Sequence, residues 1–306
     1  MGGKDMTLCR AVQAIIRWMV LATGVLAMAG CAGGYHSMNY ANLAQNLQER
    51  GHLRTETNPV DAPISLPRLT RTFRDVVFQY EFHFKDGRMV QERIEKPLKR
   101  WRGQIRYKFI GDSVNPQDRA DVKELTTRIS DLTGLTFAEV DGRHDLLISI
   151  ASRKGRRTVS RTLAAANLPT YRERYDIWRR ARGWVCGATL STEWDEPARL
   201  VYAHVFMGSE VTGLLRKSCL HEEIVQALGL TNDSDAARPS IFNDDQEFAL
   251  MTEHDAMLLQ ALYDPRLTPG MTADEAMPVA REVLSTVLSQ RGARQFARAK
   301  GARNPG

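Results

Sequence analysis

The sequence predicts an α+β domain organised around a mixed sheet, and three observations carry that expectation. Strand-like apolar runs recur at Ile105–Ile110, Leu135-Thr136-Phe137, Leu146–Ile150 and Leu200–Met207. Helical stripes are interspersed among them, as in Val122, Leu125, Ile129 and Leu132. The connections between them are too irregular in length for a doubly wound sheet.

The elements follow in order. Residues 1–31 carry Lys4, Arg10 and Arg17, then an uncharged run from Trp18 to Ala29. A basic start followed by a short apolar stretch is the pattern of a secretory signal peptide, and the run is short for a permanent membrane span. Residues 32–66 are polar, with Pro59 and Pro63, and read as a tether with a short helix near Asn39–Glu49. From residue 72 to 96 apolar and polar side chains alternate around Asp86-Gly87, which predicts an N-terminal hairpin. A helix over Asp118–Leu132 ends at Gly134, a residue suited to a left-handed cap. Further helices are expected over Gly213–Leu228 (stopping at Gly229), Thr252–Tyr263 and Thr272–Gln290. The resulting division is a signal peptide (1–31), a tether (32–66), a main domain (67–270) and a C-terminal helix with its tail (271–306).

Composition bounds the function. The chain has 306 residues, 42 basic and 36 acidic, a formal charge of +6 and four cysteines. The length supports a buried core, and the cysteines are too few for a disulfide-dense scaffold. No phosphate-binding G-x-x-x-x-G-K-[ST] or G-x-G-x-x-G run occurs, and no period of 20–50 residues repeats. Between Arg153 and Arg182 ten basic residues stand against Glu173 and Asp176, while Tyr171, Tyr175 and Trp178 are spaced to share one helical face. A secretory signal removes nucleic acid as the partner of this basic insertion. Two readings remain: contact with anionic lipid or an acidic envelope polymer, or a solvated insertion without a partner.

The segment Leu26-Ala27-Met28-Ala29-Gly30-Cys31 resembles a bacterial lipobox. That resemblance implies cleavage before Cys31, acylation of that residue and attachment to membrane lipid on the periplasmic side of the cell envelope. Ala32, rather than Asp, favours the outer membrane over the inner. Cys186 and Cys219 are then the remaining pair, expected to be bridged in an oxidising compartment.

One helix has site-like content. In Cys219-Leu220-His221-Glu222-Glu223-Ile224-Val225-Gln226-Ala227-Leu228-Gly229-Leu230-Thr231-Asn232-Asp233, His221 has no histidine four residues on, so H-E-x-x-H fails in that register. One residue later, Glu222-Glu223-x-x-Gln226-x-x-Gly229-x-x-Asn232 has the spacing of the metzincin motif H-E-x-x-H-x-x-G-x-x-H. The chain thus resembles a zincin of the metzincin class, and of its matrixin branch, over about residues 97–265. The resemblance implies a mixed sheet with an active-site-type helix, and Leu200–Met207 as the edge strand beside substrate. It places Glu223 at the catalytic base, Glu222, Gln226 and Asn232 at the three zinc-ligand positions, and Phe242 of Ser240-Ile241-Phe242 at the Met-turn methionine. The mature chain, about 36–285, also resembles an uncharacterised family of bacterial envelope lipoproteins through Gly51–Thr55, Pro59–Pro63, Leu98–Trp101, Cys186, Cys219, Gln226–Asp233 and Ser240–Glu247.

One carboxylate and two amides form a poor zinc set, since zinc prefers imidazole and thiolate. Oxygen ligands suit calcium or magnesium better, and the acidic loops Asn232–Asp235 and Asn243–Asp245 offer more of them. His204, His221 and His254 stand off the motif. No metal is therefore expected, with zinc or calcium as the candidates if one binds. The reading leans away from an enzyme: a cell-envelope lipoprotein with a degenerate zinc-protease-like domain that binds or scaffolds a peptide or envelope protein in its groove. The alternative is an active metallohydrolase or peptidase with a non-standard metal set.

Overall fold

The computed structural model describes residues 40–80, 83–85, 88–90, 94–180, 185–196, 198–243 and 245–303. The segment expected to be a signal peptide, Cys31 and the Asp86-Gly87 turn lie outside them.

Helix α1 (Tyr40–Glu49) is the short helix expected in the tether, and it rests Tyr40, Leu43 and Leu47 against the core. Helix α2 (Leu66–Phe78) has Pro67 in its first turn and buries Leu69, Phe73, Val76 and Val77 on one stripe. This corrects the expected start of the hairpin at residue 72. The alternation at Val76–Phe84 is local, whereas the helical stripe begins upstream at Leu69 and carries Val76-Val77-Phe78 with it. The hairpin is displaced to 79–95: β1 (Gln79–Tyr80) pairs antiparallel with β4 (Ile94–Glu95), and β2 (His83–Lys85) with β3 (Arg88–Val90), Lys85 opposite Arg88.

The main sheet has the order β6-β5-β7-β9-β8. Strands β5 (Gln104–Ile110), β6 (Thr136–Glu139), β7 (Leu146–Ala151) and β9 (Leu200–Gly208) are mutually parallel, and β8 (Cys186–Thr192) runs antiparallel to β9. The fold is thus α+β with a five-stranded mixed sheet. Leu200–Met207 is not the sheet edge that was expected: it lies between β7 and β8, and β8 holds the edge. The sequence of β8, Cys-Gly-Ala-Thr-Leu-Ser-Thr, has little apolar patterning because only one of its long sides is paired.

All six residues of β7 are buried, as a continuous apolar run demands when helices cover both faces. On one face Leu146, Ile148 and Ile150 meet α3 (Pro116–Thr133), α6 (Gly213–Gln226) and α7 (Glu253–Leu262) in the main core. On the other, Leu147, Ala151 and Phe206 are covered by the basic insertion, which folds as α4 (Arg156–Ala165) and α5 (Pro169–Trp178). Tyr171, Tyr175 and Trp178 do share a face, and that face is buried against the sheet. Helix α8 (Ala273–Arg303) packs on α2 and α7.

Helix α3 begins with a capping box. Asn115 Oδ1 accepts from the Asp118 amide at 3.0 Å, and the Asp118 carboxylate accepts from the Asn115 amide at 2.8 Å. Gly134 ends the helix at φ +74. The same Asp118 carboxylate takes the Arg216 guanidinium of α6 in two bonds of 2.6 and 2.7 Å, which locks the two helices together.

Candidate functional site

Helix α6 presents the motif residues, and three features fix where it ends. The Cys186–Cys219 disulfide ties its middle to the first residue of β8. After its last residue the chain turns at Gly229, φ +119, where a Cβ would lie 2.3 Å from the Lys99 carbonyl oxygen, so only glycine fits. The orphan carbonyls of that turn are then satisfied from the side: Trp101 Nε1 donates to Ala227 at 2.7 Å and Tyr263 Oη to Leu228 at 2.9 Å.

Beyond the turn, residues 231–234 close on the C-terminal end of α2. The Thr231 amide donates to the Val76 carbonyl at 2.8 Å and its hydroxyl to that of Gln79 at 3.0 Å. Asn232 Nδ2 lies 3.2 Å from the Asp75 carbonyl and 2.6 Å from that of Asp233. Ser234 Oγ donates to the Asp75 carboxylate at 2.7 Å. Lys96 adds a further donor, its Nζ bonded to the Val77 carbonyl. The last carbonyls of a helix lack intrahelical partners and carry its negative end, so amides, hydroxyls and an ammonium are the groups that belong there.

This arrangement tests the zinc set that the resemblance implies. An atom facing two carbonyl oxygens must be a donor, so Asn232 turns its NH2 towards the end of α2, and its amide oxygen is the only atom it could offer a metal. Gln226 Nε2 reaches Asp233 Oδ1 at 3.4 Å, which brings the helix and the descending loop together. Glu223 is buried, at 5 % exposure, and Glu222 is half-exposed one residue earlier. One carboxylate and two amides at 222, 226 and 232 do not fit zinc, which prefers imidazole and thiolate ligands. Among the described residues, no three His, Cys, Asp or Glu side chains form a metal-holding group.

The histidines stand apart. His204 lies on the opposite face of the sheet, packed at a tilt against Tyr175 and edge-on to Phe206 and bonded to Ser149 Oγ at 2.8 Å; burial pushes its pKa down to about 3. His221 Nδ1 accepts from the Met251 amide at 3.1 Å, and burial pushes its pKa down to about 4. Both rings are neutral at physiological pH. His254 is fully buried in the first turn of α7, its Nδ1 3.7 Å from Asp255.

The Ser240–Phe242 turn is held by Asp255. That carboxylate, fully buried, accepts from the Ser240 hydroxyl, from the Ile241 amide at 3.1 Å and from the Thr252 amide at 2.8 Å. Phe242 is fully buried beside it. The acidic loops are built by their own side chains: Asn243 Oδ1 accepts from the Asp245 amide at 3.2 Å, and Asp245 Oδ1 from the Glu247 amide at 2.8 Å. A salt-bridge network of Arg54, Asp61, Arg238 and Glu247 pins residues 52–57 across residues 246–253.

Three residues central to this site escape a reading of the sequence. Thr252-x-x-Asp255 is a legible capping box, yet nothing local shows that Asp255 also grips a turn some fourteen residues upstream. Asp75 and Lys96 gain their roles only because α2 ends beside the loop, and reading residues 72–78 as a strand hides that end.

The sequence pattern of a family described as a protein of unknown function, DUF2927, matches residues 67–282. No curated protein matches the chain.

Proposed function

The chain belongs to the DUF2927 family, and from that premise we propose that it is a lipid-anchored envelope protein whose domain is a metzincin-like scaffold adapted to binding rather than hydrolysis. The observation that carries this reading is Asn232. At the third ligand position of the motif, the side chain has become a helix-end donor, fixed by two carbonyl oxygens. The order of the sheet, its antiparallel edge strand and the helix-then-glycine turn at Gly229 support the scaffold.

The binding surface we assign is the edge of β8. Among the described residues no strand pairs with its outer side, so its backbone groups can extend the sheet with a peptide strand. The disulfide to α6 holds that edge in place. Trp194, 99 % exposed just past its end, supplies the kind of aromatic anchor that dominates peptide affinity.

The test separates binding from hydrolysis in a deletion strain complemented with variants. Glu223→Gln is nearly isosteric and removes a base while changing stability by no more than ~1 kcal/mol. Full complementation by Glu223→Gln, with loss of function in Trp194→Ala, is the expected result. Loss in Glu223→Gln with the fold intact would establish a hydrolase, since a general base contributes about 10²–10⁴ in rate. The register has its own test. A folded Glu222→His/Gln226→His/Asn232→His variant should take up zinc at roughly micromolar affinity or better, and a folded variant that takes up none overturns the metzincin alignment.

A further inference from the structure

A groove of about 350 Å³ runs between α2 and α8, far along the chain from the motif. Its walls are aliphatic: Leu66, Pro67 and Thr70 on α2, and Met277 on α8. The Thr70 hydroxyl donates to the Leu66 carbonyl at 2.8 Å, so the wall offers no free neutral donor. Three guanidinium groups, Arg71, Arg74 and Arg281, complete the lining. Arg74 lies 3.9 Å from Glu95 and 4.0 Å from Asp274. Among the described residues neither Arg71 nor Arg281 has an ion-pair partner.

That lining selects a ligand by chemistry. Three cations within one small groove repel one another and gain from a shared anion. No neutral donor is left to recognise a sugar or an amide. No aromatic ring is present to stack on a planar base, and Met277 conforms to a flexible chain. The volume is at the low end for small-molecule sites, enough for one chain. We infer that this groove binds a single-chain anionic lipid, its tail along Leu66, Pro67, Thr70 and Met277 and its carboxylate or phosphate head at Arg71, Arg74 and Arg281. This site is separate from the β8 edge and stands whether or not the binding reading of the motif helix holds.

The experiment titrates the purified chain lacking residues 1–31 with dodecanoate below its micelle concentration, using dodecanol and inorganic phosphate as the two half-ligands. Dodecanoate should bind at least ten-fold tighter than either. An Arg71→Glu/Arg281→Glu variant should bind it at least ten-fold more weakly with an unchanged melting temperature, because both side chains are exposed. A dodecanoate carrying a photoreactive group in its tail should label α2 or α8. Equal binding of phosphate and dodecanoate would reduce the groove to an anion site and overturn the proposal. Equal binding of dodecanol, unaltered affinity in the double variant, or labelling confined to other elements would overturn it as well.

Discussion

Lys96 is the residue whose chemistry the fold alters most legibly. It is 4 % exposed at the end of α2, its ammonium bonded to the Val77 carbonyl and 5.3 Å from the Tyr80 ring centre. Burial, with Lys99 adding like charge, pushes its pKa down to about 7. An unfolded lysine titrates near 10.4. Between those values the unfolded chain holds the extra proton, so this residue makes stability rise with pH from about 7 to about 10. Lys96→Met removes the effect. The unfolding free energy of the wild type should therefore gain on that of Lys96→Met as the pH rises through this window, by up to about 1.4 kcal/mol per pH unit. Denaturant titrations of both proteins near pH 6 and near pH 9.5 measure the difference, and a pH-independent gap would show that Lys96 titrates as if exposed.

At the scale of elements, two connections decide how the sheet is held. The disulfide closes a loop with a sequence separation of 33 and fastens edge strand β8 to α6. On the chain-entropy account it contributes about 3–4 kcal/mol, so the Cys186→Ala/Cys219→Ala variant should lose that much in denaturant unfolding. In native protein both thiols should resist alkylation until a reductant is added. The second connection is the helical pair α4–α5. Its buried face carries Tyr171, Tyr175 and Trp178, so deleting it would strip the sheet and test folding rather than binding. Its outward side carries Arg153, Lys154, Arg157 and Arg161, all exposed. Reversing those four charges should weaken binding to vesicles containing phosphatidylglycerol in a manner that fades with salt, at little cost in stability. Co-sedimentation at low ionic strength reads this directly, and binding equal to that of the wild type would remove the lipid role of α4–α5.

At the scale of the whole molecule, the proposed membrane attachment has its own test. Among the described residues no helix is long and apolar enough to cross one. The proposed anchor is an acylated Cys31, outside those residues, whose chains would supply apolar surface for membrane binding. Cys31→Ser should therefore move the protein from the membrane fraction to the soluble periplasmic fraction. Membrane association of that variant that survives a high-salt wash would put the anchor elsewhere.

The sequence by itself determined the elements whose signals are local. The helix over Asp118–Leu132 with its stop at Gly134, the run Leu146–Ile150, the aromatic face of the basic insertion and the helix stop at Gly229 are all legible because each depends on spacing within one or two turns. It also narrowed Cys186 and Cys219 to a single pairing. Tertiary structure decided the rest. Whether Val76-Val77-Phe78 ends a helix or opens a strand depends on the core that receives Leu69 and Phe73, and β-branched residues satisfy either. Which strand forms the sheet edge depends on pairing between residues far apart in sequence, so Leu200–Met207 and Cys186–Thr192 could not be ranked from their own composition. The role of Asn232 was hidden for the same reason. What its NH2 meets depends on the approach of the Asp75 carbonyl, 157 positions away along the chain.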